Sequence, residues 1–171
     1  MKLNYEARFD DWNLVSPSCI ADGFDCPILD PRIIPFARRV VYHSHKIGHA
    51  LRYVVAVHIN SGKFVWLSNS YPGATSEIAI CRNELFPLLL PNERIMADRL
   101  FRFSDRFLTA TGTRCALTTW VNTVRSLVER RIGLIKHFRI FTDRFRSPNY
   151  DLHCRFVRLC CRLINLLDFI D

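Results

Sequence analysis

The sequence predicts an α/β protein, with a central mixed sheet flanked by helices. Short β-branched and aromatic runs dominate the first part of the chain, two of them around an Asn-Ser-Gly turn. Stretches with helical periodicity occupy the last third. Strands mixed with helices in a chain this long fit a sheet covered by helices. The 171 residues, 49% hydrophobic and 23% charged, are enough for one domain with a buried core.

From the N-terminus, residues 1–17 read as a lead-in segment before a domain spanning 18–171. "SCIADGF" (18–24) is a strand that turns acidic at its end. "CPILDPRIIP" carries three prolines and reads as an extended loop. Residues 51–73 form a hairpin, with Asn60-Ser61-Gly62 between two β-rich runs. Ser76 is placed to cap a short helix, and Pro91 stops the segment after that helix. "ERIMAD" (93–98) is a further strand ending in an aspartate. Residues 118–137 and 150–169 are helices. Apolar positions on the second include Phe156, Leu159, Cys160, Leu163 and Leu167. Trp66 and Trp120 read as packing residues.

Lysine and arginine number 24 against 16 acids, a net charge of +8 that favours a polyanionic partner such as nucleic acid or an acidic membrane surface. Seven cysteines, an odd number without a C-x-x-C pair, read as small apolar residues in a reducing compartment. The polar, acidic start does not read as a secretory signal. No apolar run approaches the ~20 residues that span a bilayer, and no membrane partner is expected. His43, His45 and His49 read as surface or phosphate-contacting groups rather than a zinc site. Arg155, Arg158 and Arg162 recur at helical spacing, on a solvated face or a DNA-contacting ridge.

"NTVRSLVERRIGLIK" (122–136) sets one glutamate among basic residues. At about 100° per residue, Asn122, Arg125 and Lys136 fall within roughly 40° of Glu129. Val121, Val128, Ile132 and Ile135 form the adjoining core stripe. Glu129 therefore sits at the edge of the buried face. An Arg125–Glu129 surface pair is worth only ~0.3–0.5 kcal/mol. Asp22 and Asp98 each end an apolar strand, where a sheet presents side chains into a crevice. Three carboxylates converging there would repel one another unless divalent cations joined them. Magnesium and manganese, both hard ions, suit such oxygen ligands. Asp25, Asp30 and Asp105 compete for the aspartate positions, and Asp25 most directly.

Four stretches together resemble the PIF/Harbinger-type DDE superfamily endonucleases, the catalytic domains of transposases. They are "IADGFDCPI", the segment from "YHSHKIGHALRYVV" to "NSYPGATSEIAI", "LLPNERIMADRLF" and "NTVRSLVERRIGLIKHFRIF". The spacing Arg125-x3-Glu129-x6-Lys136 resembles the arginine-glutamate-lysine signature of related insertion-sequence transposases. The likeness spans roughly residues 18–169 and favours Asp22 over Asp25. It implies a ribonuclease-H-like fold and a metal-dependent DNA endonuclease using a two-metal mechanism. Asp22, Asp98 and Glu129 would be the catalytic metal ligands, with Asp22 bridging two Mg²⁺ or Mn²⁺ ions. Tyr42, Lys46, Arg52, Arg125 and Lys136 would contact DNA. A nuclear location and a separate Myb-like DNA-binding partner are further implications. The alternative is a catalytically inactive, domesticated or eroded remnant acting as a DNA-binding or protein-interaction module. Departures from the family pattern are Arg99-Leu100-Phe101 after Asp98, Ser76-Glu77 after the Pro-Gly turn, and His43-Ser44-His45 in the basic segment. They imply a shortened copy without the N-terminal helical DNA-binding region.

Overall fold

A computed structural model describes residues 17–32, 34–91, 93–98, 105–109 and 116–167, and in 116–121 only the backbone. The first strand, β1 (Cys19–Pro27), pairs antiparallel along its whole length with β3 (Gly48–His58). On its other side β1 pairs in parallel with β6 (Ile95–Ala97), and β6 with β7 (Phe107–Leu108). The far edge of β3 is shared by β2 (His43–Ser44), β5 (Tyr71–Pro72) and β4 (Phe64–Leu67), all antiparallel to it. The result is a seven-stranded mixed sheet.

Strand side chains alternate between faces, and two cores result. Ile20, Phe24 and Cys26 of β1 join Leu51, Tyr53, Val55 and Val57 of β3 beneath the helices α3 (Ala116–Lys136) and α5 (Tyr150–Leu167). The short helix α4 (Arg139–Thr142) contributes Phe141 to the same layer. Cys19, Ala21, Val54 and Ala56 face the other way, onto Ile80, Cys81 and Leu85. These last residues belong to α2 (Glu77–Ile80) and the wider π-type turn Cys81–Leu85 that continues it. Helices thus flank both faces of the sheet, as expected.

The hairpin closes as its composition predicts. His58 N–H donates to the Lys63 carbonyl and Gly62 N–H to that of His58, both at 2.9 Å. Gly62 takes φ +67°, the left-handed region where a Cβ is penalised. The Ser76 hydroxyl accepts from Ala79 N–H at 3.3 Å, so the expected cap is formed.

One expectation is corrected. The Pro-rich stretch is not a loop from Cys26 onward. β1 runs through Pro27, a strand-end position where the missing N–H is tolerated, and Ile28 then bridges to Phe145. The short helix α1 (Phe36–Arg39) follows. On α5 the buried face is His153, Cys154, Val157, Cys160, Cys161 and Ile164. Phe156, Leu159, Leu163 and Leu167 lie largely in solvent. Apolar residues cover more than half of this helix's circumference, so periodicity alone does not select the side that meets the sheet. On α3, Val128, Ile132 and Ile135 are buried as expected and Val124 joins them. The side chains of Val121 and Trp120 lie outside the described residues. Trp66 is buried. No described helix is long and apolar enough to cross a membrane.

Candidate active site

β6 pairs with β1 only at Ile20↔Met96 and Ala21↔Ala97. One step further along both strands come Asp22 and Asp98. They have the parity of Ile20 and Met96, so both point to the face covered by α3. Beyond that step, among the described residues, β1 has no pairing partner on this side, and the sheet opens into a cavity of about 300 Å³. Its walls carry Asp22, Asp98 and Glu129, the three acids singled out from the sequence, with Gly23 and Ile132 beside them. Lys46, Arg125 and Lys136 also line it. Glu129 reaches it from the edge of α3, its side chain 59% exposed.

The acids feel one another. Burial raises the Asp22 carboxyl above its usual pKa. The Gly23 N–H, donating to Asp22 Oδ1 at 2.8 Å, opposes the rise; the charges of Asp98 and Glu129 add to it. Arg125 supplies counter-charge, its guanidinium lying 3.1 Å from Asp98 and 3.6 Å from Glu129. Among the described residues no three such groups stand close enough to grip a metal ion as they are. The donor set nevertheless suits one. It consists of hard carboxylate oxygens, mutually repelling, around a cavity of adequate size. Arg125 supplies part of the positive charge that a cation would bring.

A fourth carboxylate, Glu77, also lines the cavity. It was not among the sequence-selected site residues. Burial, and then the charge of Asp22, raises its pKa. Its signal in the sequence was the Ser76-Glu77 pair after the Pro-Gly turn, noted there only as a departure from the family pattern.

Asp25 is elsewhere. It lies directly across from Arg52 in the β1/β3 register. Arg52 Nε and Nη2 donate to its two oxygens at 2.7 and 2.9 Å, and the Ser44 hydroxyl donates as well. Burial would raise this carboxyl, but the bonds from Arg52 and Ser44 outweigh it and the pKa falls. Arg52 also donates to the Thr75 carbonyl at 3.0 Å and is only 15% exposed. It is turned inward, where it fixes two strands and a loop, and unlike the other basic residues expected to contact DNA on α3 and at Lys46 it does not line the cavity. Tyr42 packs against the Tyr150 ring at 5.6 Å and does not line the cavity. Lys46, Arg125 and Lys136 do. His49 lies 3.9 Å from Asp30 and edge-on to His43, and no described histidine joins a metal-holding group. Arg158 bonds to Asn69, while Arg155 and Arg162 are exposed. The six described cysteines are buried. Residues 99–101, part of the second-aspartate motif, lie outside the described residues.

A mixed sheet flanked by helices, with acids and bases sharing a cavity where a parallel pair ends, is compatible with a DDE nuclease fold. A family model described as "DDE superfamily endonuclease" matches residues 21–165. The chain belongs to that family and is a transposase-like nuclease domain, for which DNA is the implied substrate. No curated protein and no solved structure matches it.

Proposed function

We propose that this domain cuts DNA phosphodiester bonds in a metal-dependent reaction centred on Asp22, Asp98 and Glu129. The observation that carries the reading is their presence on one cavity wall with Lys46 and Lys136. Asp22, Asp98 and Glu129 would hold Mg²⁺ or Mn²⁺. Bound there, such ions activate the attacking water or 3′-hydroxyl and steady the leaving oxygen. Lys46 and Lys136 hold the scissile region's phosphates against the cavity mouth. Arg125 would stand in for a cation beside Asp98 and Glu129 and turn to a phosphate when an ion takes its place.

The order β4-β3-β1-β6-β7, with β1 and β3 antiparallel and β1, β6 and β7 parallel, supports a ribonuclease-H-like fold. The PIF/Harbinger subtype rests on the motif resemblance. A nuclear location and a Myb-like partner in trans depend on that subtype.

The test is nicking of supercoiled DNA by the purified chain in Mn²⁺. Wild type is expected to nick, and Asp98→Asn to lose it. Equal activity in both rejects the assignment. One observation favours a second reading, a non-catalytic DNA-binding remnant: Arg125 already ties Asp98 to Glu129. That reading predicts salt-sensitive DNA binding, no nicking, and indifference to loss of the three acids.

A further inference from the structure

Besides its buried face, α5 carries an apolar row turned to solvent. Leu152, Phe156, Leu159, Leu163 and Leu166 are each 38–59% exposed. The helix cannot roll to bury them. Asn165 grips the edge strand β4, its Oδ1 accepting from Phe64 N–H at 2.9 Å and its Nδ2 donating to the Phe64 carbonyl at 2.8 Å. Arg158 donates to Asn69, and the His153 ring is bonded to the Tyr53 hydroxyl at 2.7 Å within the core. These three ties, spread along α5, fix its rotation with the row outward. A contiguous apolar patch held in solvent marks an interaction site.

The row has a definite shape. Its spacing is 4-3-4-3, the seam of a left-handed pair of helices. At about 100° per residue the five side chains fall within roughly 80°, the narrow stripe that one partner helix covers. Arg155 and Arg162, one heptad apart, border the row on one side, and the buried Cys160 borders it on the other. Both arginines are exposed, and among the described residues neither enters an ion pair. Asp151, the acid described on α5, falls farther from the seam than either of them.

The two arginines select the occupant. A second copy pairing antiparallel would set them against the same arginines of its α5; pairing parallel, it would set them against the Cys160 side. Neither arrangement brings them a carboxylate. DNA phosphates would match the arginines but leave Phe156 and the leucines in water. An acidic helix satisfies both features. We propose that the outer face of α5 docks an amphipathic helix of a partner protein, with apolar residues in the same 4-3 spacing and carboxylates one heptad apart facing Arg155 and Arg162. This does not depend on the endonuclease reading.

The experiment uses the whole chain and two synthetic helical peptides of three heptads. Both carry leucine along the seam; one has glutamate on its flanks, the other lysine. Fluorescence anisotropy is read at concentrations where each peptide is monomeric by sedimentation. The glutamate peptide is expected to bind, and the lysine peptide to bind at least about tenfold more weakly, because like charges then face each other. Leu159→Ser with Leu163→Ser is expected to abolish binding. Arg155→Glu with Arg162→Glu is expected to reverse the preference, although the chain keeps a net positive charge. A general attraction of a basic protein for acidic peptides would survive that reversal. Circular dichroism confirms folding. If a variant fails to fold, photo-crosslinking from the glutamate peptide replaces it: attachment at α5 supports the proposal, and attachment confined to the active-site cavity overturns it. Equal binding of both peptides, or binding of neither, also overturns it. So does sedimentation of the chain as a dimer that Leu159→Ser with Leu163→Ser disperses, which makes a second copy the occupant. Binding to phosphatidylserine vesicles in place of the peptide, or a charge reversal that abolishes DNA binding and leaves the peptide preference unmoved, would overturn it as well.

Discussion

Asp22 and Asp25 lie three residues apart on one strand and have opposite fates. Asp22 faces α3 at the point where β6 departs, and meets Asp98 and Glu129 across a cavity. Asp25 faces the other layer, opposite Arg52, and receives three side-chain hydrogen bonds. The odd spacing is the cause, because strand side chains alternate. One acid is left raised in pKa among like charges, the other is lowered by the bonds it accepts. The first arrangement costs stability and suits a cation; the second contributes stability and suits nothing outside the fold.

Neutralising each acid in turn tests this contrast most severely. Asp22→Asn is expected to reduce Mn²⁺-dependent nicking by more than about a hundredfold, beyond the usual effect of an outer-shell change. It should leave the chain folded. Asp25→Asn is expected to do the reverse in kind. It leaves Arg52 with a weakened partner in a pair whose side chains are only 6% and 15% exposed. A loss of about 3–5 kcal/mol in denaturant unfolding is the expected scale for breaking such a pair. If Asp25→Asn kept full stability, or Asp22→Asn kept full activity, the two roles would have to be exchanged or dropped.

Titration in chelator separates the same two acids through a more modest change. The folded pKa of Asp25 lies below its unfolded value of about 3.9. Its stabilisation is therefore present above that value and disappears as pH falls through the folded pKa. Asp22 has the opposite sign. Its folded pKa is raised, so its favourable contribution exists below about 3.9 and is lost as pH rises through the folded value. Asp22→Asn should thus be more stable than wild type at neutral pH, with the difference vanishing in acid. Asp25→Asn should be less stable at neutral pH, converging on wild type only below about pH 3.9. Unfolding curves at a series of pH values read both, and parallel profiles for the two variants would contradict the assignment.

Much of this was legible in the sequence, and the failures have physical causes. The hairpin, the Ser76 cap and the long helices came from turn chemistry and periodicity, which are local. The three acids were legible because strand ends and the edge of a helical stripe are local features too. Asp25 remained a rival although parity separates it from Asp22: Ile20, Asp22 and Phe24 share one face, while Ala21 and Asp25 share the other. Glu77 and the inward turn of Arg52 were not legible. Both depend on which segments meet across the sheet, with Glu77 close to Gly23 and Arg52 to Asp25 and Thr75, at separations that no local pattern encodes. The short strand β7 was missed for the same reason, since a two-residue strand exists only through its neighbour, and the side of α5 that is buried was left open because a helix apolar on most sides is oriented by the sheet it meets.

The mildest change concerns Arg125, which couples the cavity's acids. Its guanidinium is bonded to Asp98 and lies near Glu129, with side chains a third to more than half exposed. Solvent screening limits what these pairs contribute, so Arg125→Gln should lower stability by less than about 1 kcal/mol. Its effect on binding carries more information. If Arg125 supplies the charge that a cation would otherwise bring, removing it lets Asp98 and Glu129 receive the ion without competition. Mn²⁺ affinity should then rise by a few-fold in calorimetry. DNA affinity should fall, with the slope of its salt dependence reduced by about one phosphate contact. Weaker Mn²⁺ binding in Arg125→Gln would instead mean that the arginine holds the two acids in place for the metal, and that the repulsion at Asp22 is relieved elsewhere in the cavity.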